Sequence, residues 1–348
     1  MNAWIKLLSI VILISGAGLC IQKWRDSKPA VEKEISSFAR PQWSEKDLKA
    51  RKALAQESQV PESLITLEDI SFKRDFPHFY LVKKKPYSIL TEQKSFGFQN
   101  ALQTLLDFEN DFRRFFGGLI FLRMVKPLQV VFFDSQKTFD QFKNKIGAPS
   151  WSGGFYNFEN HRLYLFNAMD ITRTASPLAY ARIPLKYQEL LIPTLSGQMD
   201  QTLSVMRHEA SHQLFVEYGI IPEAAAAWLH EGLAVYCEKS QIGLPHRQYL
   251  TLLPFAPKIK IRELMQPYRF GGLDGDQAMA AYVMSWAAVS FLMQQQRQPN
   301  FYKYLFQIRK NPALSQRPEA LAKTLGKTPE QMESEFQAFL NSQSGKTL

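Results

Sequence analysis

The run MRHEASHQLF, residues 206–215, constrains this chain more than any other. It lies in a stretch that closes at Gly219 and Pro222, which predicts a helix from about residue 198 to 218. On a helix, positions four apart stack on one face, so His208 and His212 offer two imidazoles to a single point. Glu209 is turned by about 100° from His208 and can approach a water at that point without becoming a ligand itself. Chance produces the same HExxH pattern in about one chain in a hundred of this length, so the surroundings decide what it means.

The surroundings supply a third donor. The run AAAAWLHEGLAVYCEK reads as a second helix after a short turn, with Glu231 standing 19 positions beyond His212. Two helices so joined bring the carboxylate opposite the imidazoles, and two His with one Glu leave a fourth position for water, as a catalytic zinc site needs. His230 points about 100° away from Glu231 and reads as a group behind the ligands or at the surface. Cys237 reads as an apolar packing residue, and with Cys20 as its only companion it builds no disulfide scaffold.

At these residues the chain resembles the gluzincin metallopeptidases, in which HExxH is followed, after eighteen residues, by glutamate. Trp228, Leu229, Glu231, Gly232, Ala234, Tyr236 and Glu238 are similar to the WLNEG segment around the third ligand in enzymes like aminopeptidase N. The peptidase-MA-like domains share a strand-rich start, a GGFY-type strand, HExxH, a WLxEGLA helix and a later YxxSW helix, here Tyr282, Ser285 and Trp286. The resemblance covers about residues 76–340. It implies an α+β, zincin-like fold, with a strand-containing N-terminal lobe and a helical C-terminal lobe enclosing zinc. His208, His212 and Glu231 are then the zinc ligands, Glu209 the general base and Tyr282 a phenol that donates to the developing oxyanion. It also implies a peptide or protein substrate aligned by main-chain pairing along the strand at 153–157. His230 stands where the family commonly has Asn, and the aminopeptidase GxMEN motif is absent. Two alternatives stay open: a non-catalytic, zinc-stabilised envelope or interaction protein, and a hydrolase of cell-wall amides. Glu209 speaks against the first, because a purely structural site needs no general base.

Upstream, residues 7–21 are an unbroken run of apolar and small residues between Lys6 and the pair Lys23 and Arg25. Fifteen residues are short for a spanning helix, which needs about 17–25, but suit a signal peptide. Residues 1–25 are therefore expected to direct export, whether cleaved near Gly16, lipidated at Cys20 or retained as an anchor in the membrane. Residues 26–75 read as a polar spacer with Pro29, Pro41 and Pro61 and one short helix capped by Ser44.

The folded domain, 76–345, opens with HFYLVKKKPYSILTE, two strands around a basic turn, then a helical stripe at 97–116. LQVVFFDS reads as a buried strand, 135–146 as a short helix and GGFYNFENHRLYLFN as two strands, with helices from Ser196 onward. The net charge of +10 would suit an anionic partner. However, the only tight basic run is Lys83, Lys84 and Lys85, a solvated hairpin tip without any nucleic-acid-binding motif beside it. Nucleic acid is accordingly not expected as a partner.

Overall fold

Among the described residues, strands and helices are interspersed up to residue 166, and from residue 198 every regular element is a helix. A computed structural model describes residues 44–59, 61–62, 65–92, 96–121, 126–148, 153–166, 198–256, 258–266 and 275–344. Residues 1–25, with the export role expected of them, lie outside that set. Among the described residues no helix is long and apolar enough to cross a membrane.

The chain divides into two compact units, Met1–Asp75 and Phe76–Leu348. In the first, α1 (Glu45–Ser58) starts at Ser44, whose Oγ accepts from the Asp47 amide at 3.1 Å while Asp47 accepts from the Ser44 amide at 3.3 Å. The sequence predicts one helix here and the structure has two. The second, α2 (Leu67–Asp75), starts on the same reciprocal cap between Thr66 and Asp69, at 3.0 and 3.1 Å. Its apolar residues follow no helical period, so only the cap announced it.

The second unit begins with the hairpin of β1 (Tyr80–Lys84) and β2 (Tyr87–Thr91). Helix α3 (Phe96–Phe116) crosses over to β3 (Leu128–Phe133), which pairs with β2 in parallel. Then come α4 (Gln136–Ile146), β4 (Gly154–Asn157) and β5 (Arg162–Phe166); β5 runs parallel to β3, and β4 closes the edge antiparallel to β5. The strand order is β1-β2-β3-β5-β4. Period-two alternation sorts the side chains between two faces. Ile89, Val130, Phe132, Leu163 and Leu165 join the main core with α3, while Phe133 and Tyr164 meet Phe139 and Phe142 of α4 at 5.1 and 4.7 Å between ring centres.

The helical part comprises α5 (Gln198–Glu217), α6 (Ala227–Cys237), α7 (Arg247–Leu252), α8 (Ile261–Leu264), α9 (Gly275–Leu292), α10 (Gln298–Lys310), α11 (Pro318–Thr324) and α12 (Pro329–Ser344). Helix α5 lies against β4 and β5 and against α3, where Phe215 meets Phe112 at 4.8 Å. Helix α6 is wedged between α5 and α9. The fold is thus α+β, one mixed sheet followed by helices, with the HExxH helix laid on the sheet edge.

Candidate metal centre

Helix α5 carries His208 and His212 one turn apart and then stops at Gly219, whose φ of 64° is the left-handed conformation glycine adopts without strain. The amides of Gly219 and Ile220 donate back to Val216 and Phe215 at 2.9 Å, which turns the chain sharply toward α6. The far side of α6 is anchored by Trp228, whose Nε1–H donates to Ser315 O at 2.9 Å. Glu231 is thereby delivered to the two imidazoles.

The three side chains meet tightly. His208 Nε2 lies 3.2 Å from Glu231 Oε2 and 3.2 Å from His212 Nε2, and His212 Nε2 lies 3.7 Å from the same carboxylate oxygen. A tetrahedral ion with bonds of roughly 2.0–2.1 Å sets its ligands about 3.3 Å apart, so these separations match one face of such a site. The donor set, two imidazole nitrogens and a carboxylate oxygen, could hold a metal ion. His208 fits that role in a further respect: its Nδ1–H donates to Glu238 Oε1 at 2.7 Å, which leaves Nε2 as the metal-facing nitrogen.

No family model and no curated protein matches this chain. What the site can do therefore follows from its own geometry.

Burial dominates its electrostatics. Glu209 is pushed up to about 7, mainly by desolvation, although the Tyr156 amide of β4 donates to its Oε2 at 3.1 Å. Burial pushes His212 down to about 3, so its imidazole is neutral and has a lone pair to give. For Glu238 burial works the other way but loses to hydrogen bonds from His208 and His246, which hold the carboxyl down at about 2. Glu231 is likewise held below its ordinary range, because His212 and His208 outweigh burial. His208 stands well above its ordinary value, the two carboxylates outweighing burial.

The remaining sequence candidates fall around this centre. The ring of Tyr282 lies 6.2 Å from that of His208, and burial, then the charges of Glu231 and Glu209, keep its phenol protonated. His230 is buried, its Nε2 is 3.2 Å from Pro222 O, and its ring lies 6.1 Å from His212 behind the ligand cluster. Phe158, from the turn after β4, covers both rings at 6.2 Å from His212 and 5.3 Å from His230. Cys237 is buried and its thiol pushed up by desolvation, consistent with packing. Sequence reasoning missed His246, which is buried and 2.8 Å from Glu238 Oε2. No spacing rule points to it, since it reaches the site across a loop.

Proposed function

We propose that this chain is a zinc-dependent metallopeptidase of gluzincin type with a zincin-like fold, exported by residues 1–25. The observation that carries the reading is the set of three donors at tetrahedral separations with a fourth group, Glu209, beside them but outside the set. His208, His212 and Glu231 would hold the ion. When bound, zinc supplies a Lewis acid that lowers the pKa of a water molecule and polarises the scissile carbonyl.

Everything else is done by side chains and backbone. Glu209, with its carboxyl raised toward neutrality and pinned by the Tyr156 amide, takes the proton of the attacking water and passes it to the leaving amine. Tyr282, kept as the phenol, donates to the oxygen on which negative charge develops. The substrate main chain pairs with the edge of β4, the outermost strand of the sheet and the one whose amide orients Glu209. A scaffold that held zinc for stability alone would have no use for a raised carboxylate at that place, which favours an enzyme over an interaction protein.

The test is a peptide library digested by the full chain and by Glu209→Gln, with products read by mass spectrometry and metal by elemental analysis. Wild type is expected to hold one zinc per chain and to cleave. Glu209→Gln is expected to keep the zinc and lose about 10² to 10⁴-fold in turnover. Equal cleavage by both proteins would overturn the role of Glu209, and zinc-loaded wild type that cleaves nothing would overturn the peptidase reading.

A further inference from the structure

Glu238 is the C-cap of α6, where the helix dipole turns its negative end toward a carboxylate that is only 9 % exposed. A carboxylate in that place needs donors on both oxygens. Oε1 has His208. Oε2 has His246 Nε2 at 2.8 Å, with Ser204 Oγ as a longer contact at 3.4 Å. His246 is the N-cap of α7, it is 2 % exposed, and its ring meets Tyr249 at 4.3 Å, which in turn stacks on Trp286 of α9 at 5.9 Å.

We propose that His246 is a positioning residue for the metal centre, acting through Glu238 to hold the His208 ring with Nε2 aimed at the ion. The inference rests on the zinc reading and deepens it. An ionised carboxylate only accepts, so both imidazoles must donate to it. Its terminal torsion is broad, and His208 with only the long Ser204 contact beside it leaves the carboxylate freer to swing than a second short donor does. With His246 on Oε2, the plane of the carboxylate is fixed and Oε1 remains for the Nδ1–H of His208. The packing of His246 on Tyr249, and of Tyr249 on Trp286, carries that constraint from α7 and α9 to His208 on α5, so His208 is aimed by elements beyond its own helix.

Chelator competition on the full chain reads the apparent zinc dissociation constant. His246→Leu keeps apolar bulk in the pocket but has no donor, and is expected to weaken zinc binding about 10 to 100-fold. His246→Gln carries an amide nitrogen at similar reach and is expected to bind zinc close to wild type. Equal affinity in wild type and His246→Leu overturns the inference while leaving the zinc site standing. Equal loss in the Leu and Gln variants also overturns it, because the ring then matters only for packing. Wild type without zinc overturns the metal reading and this inference together, so the two failures are distinguishable. Should His246→Leu not fold, His246→Gln is set beside His246→Asn, whose shorter arm falls short of Glu238, and the same comparison is made.

Discussion

Glu209 and Glu231 are both half-buried in one small volume, yet their surroundings drive them apart, the first up to about 7 and the second below its ordinary range. On the proposed reading that separation suits Glu209 to proton transfer and Glu231 to ligation. Because a cation in the site favours the Glu209 carboxylate further, kcat/KM is expected to fall as pH is lowered through an apparent pKa at or below about 7, which a pH–rate profile checks. Zinc content is expected to drop in His212→Ala and Glu231→Ala and to stay mostly intact in His230→Ala, whose ring lies behind the ligands. Glu238 gives a test without metal. Its folded-state value of about 2 lies below the ordinary 4.5, so its contribution to stability is complete above about 4.5 and is lost as pH falls toward 2. Thermal melts of metal-free protein are expected to decline less steeply over that range in Glu238→Gln. His208, Glu209, His212 and Glu231 were legible because a helix turns spacing into geometry. Tyr282 came only through a resemblance, and His246 was hidden because its contact spans a loop that no period describes.

Helices α6 and α9 pack to within the reach of a single methyl group. A Cβ at Gly232 would come 2.5 Å from Ser285 O and 2.7 Å from Val289 Cγ2, where backbone leaves no room to yield. Gly232→Ala is expected to cost at least about 1–3 kcal/mol, read as a lowered melting temperature, and to loosen zinc by displacing the neighbouring Glu231. This explains why glycine follows Glu231 in α6, since the backbone of Ser285 on α9 lies against it. The strands and helices from β1 through β5 could be read in advance from their patterning, and α5 and α6 from the HExxH run, the stop at Gly219 and the turn between them. Helix α2 could not, because nine residues with no apolar stripe leave only the Thr66 and Asp69 cap as a signal.

Across the whole molecule, the expected export segment is tested by fusing residues 1–40 to a reporter active only after export; activity is expected, and a wholly cytoplasmic reporter would remove that reading. The single sheet places β4 at its border, only four residues long, with the HExxH helix alongside. A strand of that length spans about 13 Å at roughly 3.3 Å per residue. On the proposed reading its edge would grip only a short stretch of chain that is extended and has its own backbone groups to spare. Natively folded proteins keep those groups tied up in their own ladders, whereas unravelled ones lay them open. On the peptidase reading proposed above, such an enzyme would discriminate by the state of its target rather than by its letters: a protein offered native and then heat-denatured is expected to pass from resistant to cleaved.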